Sequence, residues 1–196
     1  MDAVPTVFVV EDTPQTRTMI ERLLDTSKIP AESFGSGEEF LEQFDPARPG
    51  CLVLDIRLQG MNGLELQREL LTRGIRIPVI VMSGAVEVPK VVSAIRAGAV
   101  DFLEKPFDQE TLLRAVREGF AKDRERRQDE ARLGSLTARE RQILNYLVAG
   151  ENYKEIASRL NLSTKTVEGH RVNLLRKLGV RSVVEAVKFV LERRLS

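Results

Sequence analysis

Four places along this 196-residue chain set reactive polar side chains at or just past the end of a short apolar run. Glu11 and Asp12 follow Thr6–Val10, Asp55 follows Cys51–Leu54, Ser83 follows Pro78–Met82, and Lys105 lies just past Val100–Leu103. Together these types can serve one reaction. A carboxylate such as Asp55 can attack a phosphoryl donor and become an acyl phosphate. Glu11 and Asp12 offer hard oxygen ligands, and Mg²⁺ needs only one or two carboxylates beside phosphate oxygens and water. Such an ion also relieves the repulsion between three carboxylates and an incoming phosphate. Lys105 supplies a point charge for one phosphoryl oxygen, and Ser83 a hydrogen bond for another. Taken singly, an Asp at a strand end is more often a turn former or a cap. The joint placement carries the reading.

Bringing these groups together requires strands that end side by side. The runs Cys51–Leu54 and Pro78–Met82 are continuously apolar, as strands covered on both faces are. Thr6–Val10 is β-branched and short, and Val100–Leu103 reads as a short fifth strand. Helix signals fall between them. Thr13 offers an N-cap with Pro14 at the first helical position, and Met19, Ile20, Leu23 and Leu24 follow at helical spacing. Ser36 and Glu39 make a capping-box pattern before Phe40, Leu41 and Phe44. Leu64–Leu71 and Val88–Ala97 read as helices, and Asp108 can cap a fifth that carries Leu112, Leu113, Val116 and Phe120. Five strands alternating with five helices predict a parallel sheet with helices on both faces. The site of such a sheet lies beyond the carboxyl ends of its strands, where Glu11, Asp12, Asp55, Ser83 and Lys105 stand.

Composition fits this plan. With 42% hydrophobic and 30% charged residues, the chain can form one large domain or two small ones. The lone cysteine, Cys51, excludes a disulfide framework and a cysteine-rich zinc site, and its apolar surroundings predict a buried, inert thiol. No apolar run reaches membrane-spanning length and the N-terminus lacks a signal pattern, so a cytoplasmic protein with no membrane partner is expected. The net charge of +1 hides an asymmetry. Residues 1–107 carry 16 acids and 11 bases, 108–133 carry 7 of each, and 134–196 carry 6 acids and 12 bases. An acidic front and a basic back suggest two domains, the second facing a polyanion. Between them, Lys122–Arg132 is nearly all charged, without Gly or Pro, and is expected to be a solvated helical spacer. The expected divisions are 1–120, a linker at 121–134, and 135–196.

The tail reads as four helices. Capping-box patterns occur at Thr137/Glu140, Asn152/Glu155 and Ser182/Glu185, and Ser163 can cap a further helix. Tyr153–Leu160, the turn Asn161–Ser163 and Thr164–Lys177 form a helix-turn-helix candidate. At about 100° per residue from Val167, Leu174 and Leu178 fall within about 20° of it and face a core. Lys165, Gly169, Val172 and Arg176 fall on the opposite face, flanked by Thr166, Glu168 and Asn173. Cations, hydroxyl and amide donors, and one glycine for close approach suit a DNA major groove. A plain amphipathic helix with a solvated face is the commoner origin of such periodicity.

Two resemblances sharpen these readings. Val9-Val10-Glu11-Asp12, Leu54-Asp55-Ile56-Arg57 with Met61-Asn62-Gly63, Met82-Ser83-Gly84-Ala85 and Lys105-Pro106-Phe107 resemble the response-regulator receiver family, over about Pro5 to Phe120. The stretch from Ala97 to Phe107 looks especially like the FixJ-type branch. The resemblance implies a flavodoxin-like fold and phosphorylation of Asp55 by a partner sensor histidine kinase. It implies Mg²⁺ held by Glu11, Asp12, Asp55 and the backbone carbonyl of Arg57, a phosphoryl group held by Ser83 and Lys105, and Phe102 as an aromatic switch. The Lys105–Pro106 bond is often cis in this family, proline being the residue for which cis is cheap. The chain departs from the pattern at three positions. Glu11 replaces the commoner Asp and Ser83 the commoner Thr. Gln59 stands where a proline usually follows the phosphorylation site, which leaves that loop a freer φ angle.

The motifs Leu136-Thr137-Ala138-Arg139-Glu140, Glu155-Ile156-Ala157, Leu162–His170 and Arg176-Lys177-Leu178-Gly179-Val180 resemble the LuxR-type DNA-binding domain over about Leu136 to Leu191. That resemblance implies promoter DNA as a partner, with Lys165, Thr166, Glu168, Gly169, Val172 and Arg176 toward it. It also implies contact with RNA polymerase, and pairing of two protomers through the surplus apolar face of Val183–Leu191. The two resemblances together imply a NarL/FixJ-type regulator of transcription, not an enzyme. One rival is a phosphatase of the haloacid dehalogenase type, which needs a second acid two residues after its nucleophile; Arg57 stands there. The other is a degenerate receiver that signals without phosphate, against which the intact set of five site residues argues.

Overall fold

The computed structural model describes residues 4–84 and 88–195, except for the side chains of residues 88, 90 and 193–195. The chain divides into two compact units, Met1–Glu125 and Arg126–Ser196. The first unit alternates β1 (Thr6–Val10), α1 (Pro14–Thr26), β2 (Ala31–Phe34), α2 (Gly37–Gln43), β3 (Gly50–Asp55), α3 (Gly63–Thr72), β4 (Val79–Ser83), α4 (Val88–Arg96), β5 (Asp101–Glu104) and α5 (Gln109–Gly134), the last running on into the second unit. The strands form one parallel sheet in the order β2-β1-β3-β4-β5. This is the flavodoxin-like winding, which reverses direction between β1 and β3.

The side-chain period of two divides each central strand between two cores. Phe8, Val10, Leu52, Leu54 and Val81 pack with Phe40, Leu66, Leu70 and Ala94 of α2, α3 and α4. Val7, Val9, Cys51, Val53, Ile80 and Met82 pack with Ile20 and Leu24 of α1 and Leu112, Ala115 and Val116 of α5. Both faces being covered, β1, β3 and β4 are buried throughout. β2 is the exception. Its sequence, Ala31-Glu32-Ser33-Phe34, has a single buried residue, and it lies at the sheet edge. No apolar run announces it.

The caps foreseen in the sequence are met in varying degree. Asp108 Oδ1 accepts from Thr111 N at 2.8 Å. Thr13 occupies the N-cap of α1 but makes no side-chain cap, its hydroxyl donating instead to Asp12 Oδ1. Ser36 caps Glu39 N, while the Glu39 carboxylate reaches one residue further back, to Gly35 N at 2.7 Å.

The expectation of a solvated spacer at Lys122–Arg132 fails at two positions. The stretch is helical, but Asp123 and Asp129 are buried at 3% and 6% exposure. Asp123 Oδ2 accepts from Gly50 N at 2.9 Å, so α5 is tied to the start of β3 by a buried charge-assisted hydrogen bond. One turn earlier, a Cβ at Gly119 would lie 2.8 Å from Cys51 Cβ, which shows how closely the helix lies on the strand. Burial, with the Asp123 charge beside it, pushes the Cys51 thiol far up.

The second unit continues with α6 (Ala138–Val148), α7 (Tyr153–Leu160), α8 (Thr164–Leu178) and α9 (Val183–Leu195). Full capping boxes close the N-termini of α6 and α7 through Thr137/Glu140 and Asn152/Glu155. Asn161 takes the left-handed conformation at the end of α7 (φ 52°), which gives the sharp turn into α8. Leu174, Leu175 and Leu178 pack with Leu144, Ala186, Phe189 and Val190, and Val167 packs with Ile143, Ile156 and Ala157. Both tyrosines border this second cluster, Tyr146 under the Arg159 guanidinium and Tyr153 under that of Arg171. Among the described residues no helix is long and apolar enough to cross a membrane.

Candidate functional site

Strand register assembles the acidic site. Val10, Leu54, Val81 and Phe102 lie in one row across β1, β3, β4 and β5. One step further along, past this apolar row, come Glu11 and Asp55, with Asp12, Ser83 and Lys105 close beyond. Ser83 ends β4, and its carbonyl accepts from Lys105 N at 2.8 Å, which fixes the start of the Lys105 side chain. The Lys105–Pro106 peptide is cis. Of the motif Met82–Ala85, Ala85 lies outside the described residues.

The three acids converge. Ligand oxygens of Glu11, Asp12 and Asp55 all lie within 4.8 Å of one another, the one such group among the described residues. Glu11 is fully buried, Asp55 nearly so, and Asp12 is half-exposed and opens the site to solvent. Lys105 Nζ donates to both Glu11 Oε2 and Asp55 Oδ2. Burial raises the Glu11 carboxyl above its ordinary value of 4.5 and the Asp55 charge adds to the rise, against the Lys105 ammonium and the Thr13 amide, which lower it. The second Glu11 oxygen accepts from Thr13 N at 3.1 Å, and Arg17 binds the Glu11 carbonyl. One ammonium among three clustered carboxylates leaves negative charge uncompensated. Hard oxygen donors at this spacing, one partly open to water, fit a divalent cation such as Mg²⁺.

The loop after Asp55 is held at several points. Asp55 Oδ1 accepts from Arg57 N at 2.9 Å. Gly63 N returns to the Ile56 carbonyl, and any Cβ at Gly63 would stand 2.1 Å from the Asp55 carbonyl oxygen, so only glycine lets the chain pass so close. Asn62 then caps α3 in a full capping box with Glu65. The freer loop expected from Gln59 is pinned instead. Gln59 N, which a proline would lack, donates to Asp12 Oδ2 at 3.1 Å, and Met61 N donates to Glu38 Oε1 at 3.0 Å. Glu38 had no signal in the sequence, since it sits 23 residues away in the first turn of a short helix. Phe102 lies half-buried at the edge of the core shared by α2, α3 and α4.

In the second unit the geometry divides α8 as its periodicity predicts. Val167, Leu174 and Leu178 are fully buried, whereas Lys165, Thr166, Glu168, Gly169, Val172, Asn173 and Arg176 are all exposed. Val172 is 55% exposed, an apolar side chain held out in a polar row. A Cβ placed at Gly169 would meet nothing within 4 Å, so no packing inside this unit calls for glycine there. His170, the only histidine, is half-buried beside this face. Sequence reasoning missed the pair that braces the helix: Lys177 Nζ donates to Glu140 Oε2 at 2.7 Å and to the Ser135 carbonyl at 3.1 Å. Glu140, the reciprocal member of the α6 capping box, is 3% exposed. On α9 the surplus apolar residues Val184 and Leu191 stand exposed.

A parallel five-stranded sheet with an acid triad and lysine at its carboxyl edge, followed by a helix-turn-helix unit, is the architecture of a DNA-binding response regulator. Comparison with known proteins agrees. Residues 7–117 match the family model of the response regulator receiver domain, and residues 134–190 match that of the bacterial regulatory proteins of the luxR family. The chain belongs to the NarL/FixJ-type response regulators, which join a receiver to a LuxR-type DNA-binding domain and regulate transcription. Its relatives include the transcriptional regulatory protein FixJ of Azorhizobium caulinodans, 40% identical over 94% of this chain and 91% of that protein. They include also the transcriptional regulatory protein TdiR of Thauera aromatica, 38% identical over 95% of this chain and 85% of its own length. Among solved structures, the response regulator StyR is similar with a TM-score of 0.62 at 39% identity, over 97% of this chain and all of that one.

Proposed function

We propose that this regulator is switched by phosphorylation of Asp55 by a partner sensor histidine kinase in the cytoplasm, and that the phosphorylated form pairs on promoter DNA. The observation that carries the proposal is the position of Lys105, whose ammonium bridges Glu11 and Asp55 beside an under-neutralised acid triad. Glu11, Asp12, Asp55 and the Arg57 backbone carbonyl would hold Mg²⁺, which would supply the charge that offsets carboxylate against phosphate. Asp55 Oδ2 is the acceptor oxygen nearest Lys105. When that oxygen carries a phosphoryl group, the ammonium moves from carboxylate to phosphoryl oxygens, and the Ser83 hydroxyl donates to another. Lys105 and Ser83 share a backbone hydrogen bond, so a shift at one is felt at the other, and Phe102, three residues before Lys105, follows. This is a population shift between two arrangements biased by a local charge.

The receiver role is assigned to residues 1–120, the linker to 121–134 and the DNA-binding role to 135–196. Lys165, Thr166, Glu168, Gly169, Val172 and Arg176 enter the major groove, α9 pairs the protomers through Val184 and Leu191, and the DNA-bound dimer contacts RNA polymerase. Intact-mass analysis of the full chain with acetyl phosphate and Mg²⁺ tests the acceptor. The wild type gains one phosphoryl group and Asp55→Asn gains none. A phosphoryl group on the mutant overturns the assignment.

A further inference from the structure

The loop from Gln59 to Met61 is held from outside the strands, by two carboxylates on separate elements. Gln59 N donates to Asp12 Oδ2 and Met61 N to Glu38 Oε1, at 3.1 and 3.0 Å. Between them Gly60 takes φ +75°, and a Cβ there would come within 2.9 Å of the same Glu38 oxygen. The loop therefore lies flat against the Glu38 carboxylate. The base of that carboxylate is itself fixed, because Ser36 and Glu39 close the start of α2 with hydrogen bonds to Glu39 N and Gly35 N. Gly37 packs beside Met61 Sδ, where a Cβ would stand at 3.5 Å. The amide of Glu38 itself, followed by that of Met61, holds the Glu38 carboxyl below its ordinary range, which favours the charged and more strongly accepting form.

We infer that Glu38 is a positioning residue of the phosphoryl site: by gripping Met61 N–H it holds the loop in the register in which Gln59 N–H engages Asp12. The inference rests on the proposed metal and phosphoryl role of Asp12 and Asp55. Asp12 is the exposed member of the triad and the one whose side chain the loop orients. With Glu38 gone, the loop gains freedom that a glycine at 60 and a non-proline at 59 do nothing to limit. The Asp12 carboxylate then keeps only the Thr13 hydroxyl on its other oxygen, and the metal must supply the rest of its ordering, an entropic cost that appears as weaker binding.

The test uses the full chain and three proteins: wild type, Glu38→Ala and Glu38→Gln. The glutamine keeps an acceptor oxygen at the same place. Amide hydrogen exchange at Met61 and Gln59, measured without metal, is expected to quicken on the order of fivefold in Glu38→Ala and to stay near wild type in Glu38→Gln. Mg²⁺ titration by calorimetry should show binding about threefold weaker or more in the alanine variant, restored in the glutamine variant. If the wild type binds Mg²⁺ and Glu38→Ala matches it in both measurements, the positioning role is overturned while the phosphoryl reading stands. If the wild type itself binds no Mg²⁺, the reading of the acid triad fails and this inference falls with it.

Discussion

Replacing Gly169 with alanine should move two properties of the molecule in opposite directions. The residue lies in the interior of α8, five residues after its start, and a Cβ there would find nothing within 4 Å. Glycine in a helix interior costs about 0.5–1 kcal/mol relative to alanine, through the backbone freedom lost on folding. With no atom in the way, that amount is recovered in full. For a domain of this size it corresponds to a rise of roughly 2–8 °C in the midpoint of thermal unfolding. The same open space is where DNA lies if the exposed face of α8 enters the major groove. A methyl group forced into a fitted interface costs about 1–3 kcal/mol, so operator affinity should fall on the order of tenfold. Differential scanning calorimetry of the full chain reads the first change, and fluorescence anisotropy with labelled operator reads the second. A variant that is more stable and binds as tightly as wild type would show that DNA does not approach this part of the helix. A variant that is less stable would refute the packing argument.

Substitutions at four further sites test other parts of the molecule. Asp123→Ala leaves Gly50 N–H buried without its acceptor and should cost the first unit about 1–3 kcal/mol in urea unfolding, with Asp123→Asn costing less; equal curves would make the tie energetically idle. At Glu140 burial alone pushes the carboxyl up, but the Lys177 ion pair and the Thr137 amide and hydroxyl hold it below its ordinary 4.5. A depressed carboxyl contributes stability above its unfolded value and loses it as pH falls through the folded one. Glu140→Gln should therefore be destabilised at neutral pH, with the gap to wild type narrowing below about pH 4.5; a gap that stays constant with pH would assign the loss to packing. Arg176→Ala should weaken binding to all DNA sequences and lower the salt slope by about one, whereas Glu168→Ala should alter preference at one operator position. Unchanged binding and preference in both would make α8's exposed face a solvated surface.

What the sequence foretold follows from the range of the forces involved. Central strands covered on both faces need unbroken apolar residues, so β1, β3 and β4 were legible from composition alone. β2 was not, because an edge strand with one buried residue has a pattern shared with any loop. The caps Thr137, Asn152, Ser163 and Asp108 were legible because a cap acts within three residues. Thr13 carried the same signal and makes no side-chain cap; its hydroxyl is turned to the neighbouring Asp12. The five site residues could be named because parallel strands must deliver their ends to one edge. Long-range polar pairs left no local trace. Glu38 with Met61, Asp123 with Gly50 and Glu140 with Lys177 join residues 23, 73 and 37 positions apart. Each side chain alone looks like an ordinary surface charge, which is why Lys122–Arg132 read as wholly solvated.

The placement of the aromatic residues gives the molecule a built-in optical probe. The chain has no tryptophan and two tyrosines, and both tyrosines border one cluster of the second unit. Light absorbed near 280 nm is therefore emitted from the neighbourhood of Tyr146 and Tyr153 alone, while the receiver, furnished only with phenylalanine, stays dark at that wavelength. Each phenol lies under an arginine guanidinium, with 5.8 Å from ring centre to guanidinium carbon, a setting whose emission responds to small changes in charge and solvent. Beryllofluoride bound at the proposed Asp55 site would touch only the dark half. Any change in tyrosine emission that Asp55→Asn abolishes would thus be a signal received by the other half, recorded without dye, DNA or a second protein.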